Sequence, residues 1–115
     1  MNTSLPIQPI APDVCVAPQM LPEAMAEAAR VGFRSVVNNR PDFEEGPGQP
    51  TSVMIEAAAK AAGLEYRHLP VSPATLTAQD VAAMALLLQE LPRPMLLFCR
   101  SGGRSGRLYR LAIGA

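Results

Sequence analysis

The stretch Met95 to Arg107 (MLLFCRSGGRSGR) sets an apolar run, a cysteine, two adjacent glycines, an arginine and a serine in that order. The four apolar residues suit a buried central strand, and Ser105 to Ile113 can continue as a helix, so Cys99 falls between a strand end and a helix start. A helix N-terminus offers unpaired N–H groups and the positive end of the macrodipole, and both favour a thiolate or a bound oxyanion. Gly102 and Gly103 let those amides converge. A free thiol with a pKa of about 8.5 is mostly protonated at neutral pH, but such a setting lowers it to roughly 3.5 to 7.5. Cys99 is therefore expected to be a thiolate nucleophile. Arg104 carries a planar fork of donors that cannot lose its charge, the natural clamp for an anion. Arg100, Ser101, Gly102, Gly103 and Ser105 would line the anion cradle, with Ser105, or else Ser101, donating a hydrogen bond to the sulfur.

Other reactive residue types have weaker settings. Cys15 lies among Val14, Val16 and Ala17 and reads as a strand core position, with a resolving thiol as the lesser alternative. His68 precedes Leu69 and Pro70 and reads as a hydrogen-bonded structural histidine. Arg40 and Asp42, in a loop after a predicted strand, would share a sheet edge with Cys99, and Arg40 is expected among the anion-binding residues. Glu44 and Glu45 read as a solvated loop face. Arg107 and Arg110 either widen the positive field or pair with acidic neighbours, and the second is expected.

Elements to carry these residues alternate along the chain, punctuated by 12 prolines and 8 glycines. Val14 to Ala17 reads as a strand and Leu21 to Arg30 as a helix, with Pro22 in its first turn and Gly32 at its end. Phe33 to Val37 is a second strand. After the polar loop Asn38 to Pro50 comes a helix at Ser52 to Ala62, closed by Gly63. Leu64 to Val71 reads as a strand. Thr77 and Asp80 form a capping-box start for Ala78 to Leu91, where Val81, Met84, Leu88 and Leu91 recur at helical spacing. Residues 1 to 12 read as an irregular lead-in. This predicts a single compact α/β domain over residues 1–115, with a mainly parallel sheet of four or five strands flanked by helices. Ligands then bind at the carboxyl ends of the strands, where Cys99 would sit.

A chain of 115 residues can bury roughly two thirds of its unfolded surface, enough for one core. Formal net charge is zero, so neither nucleic acid nor an anionic membrane is an expected partner. Distribution says more: Arg93, Arg100, Arg104, Arg107 and Arg110 crowd a final stretch that holds no Asp or Glu, so that end should attract small anions. MNTSLPIQPIAPD has neither a basic n-region nor a long apolar run, which makes the cytoplasm the expected compartment. Two distant cysteines and one histidine are too few for a zinc site; free thiols and no cofactor are expected.

The Cys99 loop resembles the active-site loops shared by rhodanese sulfurtransferases and cysteine-dependent protein phosphatases. Over nearly the whole chain, the order VVNNRPD, GQPTS, AGLEYRHLPV, LTAQDV and PMLLFCRSGGRS resembles the phosphatase-like domain of the beta-lactamase-hydrolase-like family, also catalogued as a sulfur transferase. The resemblance implies a compact fold of the dual-specificity-phosphatase type, with Cys99 as nucleophile and Arg104 as the loop arginine. Links of some relatives to persulfide dioxygenases imply sulfane sulfur as substrate and a persulfide-metabolising enzyme as partner. Phosphatases of this type set five residues between Cys and Arg; here there are four, and Ser105 stands where that arginine would be, which matches the rhodanese pattern. Phosphatases also use an upstream Asp as general acid. The corresponding loop, Val71 to Leu76 (VSPATL), has no carboxylate, and Asp80 reads as a helix-start residue. The expectation is therefore transfer of sulfane sulfur from thiosulfate or a persulfide to a thiol acceptor through a Cys99 persulfide. A phosphatase-like hydrolase working through a Cys99 phosphocysteine is the alternative. A non-catalytic anion or phosphopeptide binder and a redox sensor are further alternatives.

Overall fold

In the computed structural model, which describes residues 3–115, the elements run β1 (Gln8–Ala11), β2 (Val14–Ala17), α1 (Ala24–Arg30), β3 (Ser35–Asn38), α2 (Ser52–Ala61), β4 (Glu65–His68), α3 (Ala78–Glu90), β5 (Met95–Phe98) and α4 (Gly103–Ala112). They build one five-stranded sheet in the order β1-β2-β5-β3-β4. β2, β5, β3 and β4 are parallel and only β1 is antiparallel, so the sheet is mostly parallel, as expected. Among the described residues no helix is long and apolar enough to cross a membrane.

Period-two alternation sorts the buried strands onto two faces. Cys15, Ala17, Val36, Leu96 and Phe98 point toward Met25 and Ala28 of α1 and Ile55 and Ala59 of α2. Val14, Val16, Val37, Met95 and Leu97 face Met84 and Leu88 of α3 and Leu108 and Tyr109 of α4. Since both faces are covered, a fully apolar β5 is required at the centre, where each large side chain contributes about 1.5 to 3 kcal/mol by leaving water. Met95, Leu96, Leu97 and Phe98 are all fully buried.

The irregular lead-in is corrected: Gln8–Ala11 forms an edge strand, while residues 1 and 2 lie outside the described residues. Pro9 masks it in the sequence, yet proline fits an edge strand because its missing N–H need not face a neighbour. A register shift between Pro9 and Ala11 marks the irregularity. Smaller differences have local causes. α1 begins at Ala24 because Leu21 to Glu23 makes a turn, with the Ala24 amide donating to the Leu21 carbonyl. Leu69 and Val71 still donate to the Asn38 and Asn39 carbonyls, but Pro70 has no N–H to give and regular β4 ends at His68. The Thr77–Asp80 capping box is present in both directions, at 3.1 and 2.9 Å.

Candidate active site

The register of β2, β5 and β3 brings three strand ends level, with Ala17 and Asn38 both paired to Phe98. Beyond that row the Cys99 amide donates to the Ala17 carbonyl at 3.4 Å and the Asn39 amide to the Phe98 carbonyl at 2.8 Å. Cys99 is thus pinned at the carboxyl edge of the central strand. The chain then turns through Gly102, whose φ of +95° only glycine adopts without strain, and enters α4 at Gly103, two residues before the expected start at Ser105.

This turn wraps amides around the sulfur. The Gly102 N–H donates to Cys99 Sγ at 3.1 Å. Burial, with the residue 1 % exposed, acts to raise the thiol pKa. The amide and hydroxyl of Ser105 and the amides of Gly102 and Ser101 outweigh it and hold the pKa below the ordinary thiol value. Cys15 shows burial without such donors, and its thiol is pushed up. Both cysteines are free.

Ser105 is fully buried and its hydroxyl donates to Asn39 Oδ1 at 2.8 Å. Asn39 Nδ2 donates to the Leu69 carbonyl at 3.1 Å, which leaves only its oxygen to face the serine. The hydroxyl hydrogen therefore has two acceptors within reach, Asn39 and the sulfur. Asn39 escaped sequence reasoning; the only signal was a pair of asparagines at the end of an apolar strand.

The arginines are arranged differently from the sequence expectation. Arg104 Nη1 donates to the Val71 carbonyl at 3.0 Å and lies 3.1 Å from Glu44 Oε2, and Nη2 donates to Glu44 Oε1 at 3.1 Å. Its Nε is buried and has no hydrogen-bond partner among the described residues. Arg40 does not line the cavity over Cys99. It is buried, donating from Nε to Glu44 at 2.8 Å and from Nη1 to Gln19 at 3.0 Å, with Nη2 3.3 Å from Glu45. Arg100 Nε meets the same Glu45 at 2.6 Å. Glu44 is thus not part of a solvated face, while Glu45, with its side chain 49 % exposed, is. The deep guanidinium groups of Arg40 and Arg104 need a carboxylate partner, and Glu44 of the loop serves both. Burial opposes ionisation of Glu44, but its bonds to Arg104 and Arg40 hold its pKa below the usual carboxylate range.

Neighbouring residues play supporting parts. Asp42 accepts the Ser52 amide at 2.8 Å and so caps α2 beside Thr51. His68 Nε2 lies 2.8 Å from the Arg40 carbonyl, which can only accept, so this nitrogen carries hydrogen and the ring is structural. The cavity over Cys99 has a volume of about 350 Å³ and is lined by Pro73, Leu76, Cys99, Arg100, Ser101, Gly103, Arg104 and Arg107. Arg107 and Arg110 were expected to pair with acidic neighbours; among the described residues neither has an ion pair. The arrangement is a cysteine whose thiol pKa is lowered by surrounding amides, on a cavity that Arg104 also lines, and its chemistry suits an anionic ligand.

Residues 7–115 match the sequence model of the beta-lactamase hydrolase-like protein, phosphatase-like domain. The beta-lactamase hydrolase-like protein of Agrobacterium fabrum is 42% identical over 80 residues, which are 70% of this chain and 18% of that protein. The chain spans less than a fifth of the length of the curated relatives it matches. Among solved structures, a candidate phosphatase from Neisseria meningitidis superposes with a TM-score of 0.83 at 26% identity, over 92% of this chain and 75% of that one. Pseudomonas aeruginosa TpbA, solved as a Cys-to-Ser variant with phosphotyrosine, has a TM-score of 0.67 at 18% identity, over 96% of this chain and 65% of its own, and shows the shared fold.

Proposed function

Since the chain belongs to the beta-lactamase hydrolase-like family through its phosphatase-like domain, we propose that it is a cysteine-dependent phosphatase-like hydrolase acting on a small phosphoester through a Cys99 phosphocysteine. The observation that carries this reading is a sulfur ringed by amides on a cavity also lined by Arg104, whose buried Nε has no hydrogen-bond partner among the described residues. A buried donor without a partner costs about 1 to 3 kcal/mol, and an anionic oxygen in the cradle would satisfy it. The thiolate attacks phosphorus, the P–S bond forms as the P–O bond to the leaving group breaks, and the alcohol departs as its anion. Water then attacks phosphorus, phosphate leaves, and the electron pair returns to sulfur, where the Ser105 hydroxyl can swing from Asn39 to receive it. Loop amides and Arg104 carry the oxygens' charge throughout. Glu44 is a poor general acid because its arginine partners keep it ionised, so the leaving group must be stable without protonation, as an aryl oxide is.

A second reading, transfer of sulfane sulfur from thiosulfate or a persulfide to a thiol, is favoured by one observation: four residues separate Cys99 from Arg104, and the Val71 to Leu76 loop holds no carboxylate. Sulfite or a thiolate leaves without a proton. In that case a persulfide-metabolising enzyme is the partner. Under both readings the working compartment is the cytoplasm.

Purified protein and its Cys99→Ser variant, assayed on an aryl phosphate and on thiosulfate with cyanide, separate the readings. The expected result is aryl phosphate turnover that falls on the order of 10⁴-fold or more in the variant. Thiosulfate turnover alone, lost with Cys99, would replace the first reading by the second.

A further inference from the structure

The cavity above Cys99, at about 350 Å³, falls in the size range of sites for whole small molecules, about 300 to 1,000 Å³. One tetrahedral anion in the cradle leaves much of it to the rest of the substrate. Its outer walls are of two kinds. Pro73 and Leu76 are apolar, and Arg107 is cationic.

Charge compensation singles out Arg107. Arg104 is held by Glu44, Arg100 by Glu45, and the Arg40 behind them by both. Arg107 lines the same cavity with no carboxylate partner among the described residues. It follows Arg104 by three residues, so it lies on the same helix face about 4.5 Å further along the axis. An anion already seated at Cys99 is therefore one helical turn from a second, uncommitted guanidinium.

Building on the hydrolase reading above, we propose that the substrate is a small molecule with two anionic groups. One sits in the Cys99 cradle, the second, a phosphate or carboxylate, is held by Arg107, and a short apolar body between them rests on Pro73 and Leu76. Arg107 is then a specificity-determining residue.

Protection of Cys99 from iodoacetamide, followed by mass spectrometry of each cysteine, tests this without turnover. The probes are benzylphosphonate and its 4-carboxy derivative, neither of which can be hydrolysed, and buried Cys15 is the internal control. The dianchored probe should protect Cys99 at about fivefold lower concentration, the effect of one partly exposed ion pair. Arg107→Gln should abolish that advantage. Arg110→Gln should keep it, because Arg110 has the same charge on the same helix but lines the cleft on the far side of the loop, with Gln8, Val16 and Gly106. The proposal is overturned if the carboxylate gives no advantage, if the advantage survives Arg107→Gln, or if Arg110→Gln removes it equally. A Cys99 that alkylates no faster than Cys15 would instead show that the thiolate reading itself is wrong, and would take this inference with it.

Discussion

At the scale of single residues, the centre of the site is a competition between burial and donors. Cys99 and Cys15 are both buried, yet their thiols are displaced in opposite directions, because only Cys99 is met by amides and a hydroxyl. Glu44 is the less obvious participant. It ties Arg104 to Arg40 and so fixes the position of the Arg104 side chain on the cavity over Cys99. Glu44→Gln should lower kcat/KM on the order of 10²-fold through misplacement of Arg104, measured by steady-state kinetics on the aryl phosphate. The same substitution changes acid stability. A carboxylate whose folded pKa is depressed stabilises the fold above its unfolded pKa, and that contribution disappears as pH falls through the folded value. Urea midpoints of the natural chain should therefore drop as pH falls below 4.5, the ordinary value, and drop less steeply in Glu44→Gln; identical slopes would exclude the ion pair as a source of stability.

At the scale of elements, the turn between β5 and α4 distinguishes two glycines that the sequence treats alike. Gly102 has φ +95°, and a Cβ there would lie 3.4 Å from the carbonyl carbon and oxygen of Ala17. Gly103 begins α4, and a Cβ would meet only Ser101 Oγ at 3.7 Å. Gly102→Ala is expected to cost about 1 to 3 kcal/mol and, by shifting the amide that donates to Cys99, to suppress activity. Gly103→Ala is expected to be neutral or slightly stabilising, since alanine is the better helix former by about 1 kcal/mol. Urea unfolding and kinetics on both variants check the contrast, and equal damage from the two would contradict it. Element identity itself was well marked by proline, glycine and apolar runs, with β2 and β5 read to the residue. The edge strand β1 was not, because Pro6, Pro9 and Pro12 outweigh its short apolar pattern until β2 is there to pair with it.

At the scale of the whole molecule, the sheet separates two cores. Met25 belongs to the face covered by α1 and α2, and Met84 to the face covered by α3 and α4. Both are fully buried, so truncation to alanine should cost about 2 to 5 kcal/mol at either site. With a sheet between them and no shared neighbours, the two losses should add within about 0.5 kcal/mol. Chemical denaturation of the single and double variants decides this; a large departure from additivity would mean that the sheet transmits strain from one face to the other.

Much of this protein is written locally. Runs such as Met95 to Phe98, the Thr77–Asp80 cap and the Cys99 to Ser105 loop depend on neighbours within a few residues, so hydrophobic period, capping and turn chemistry reveal the α/β class and single out Cys99 at a strand-to-helix turn before any fold is known. Which arginine faces which carboxylate is different in kind. Arg104 meets Glu44 across 60 residues and Ser105 meets Asn39 across 66, and only the strand order that sets β3 beside β5 brings those partners together. Ion pairing has no sequence period, which is why Arg40 and Glu44 read as loop residues while Arg107, expected to be paired, lines the cavity without an ion pair among the described residues.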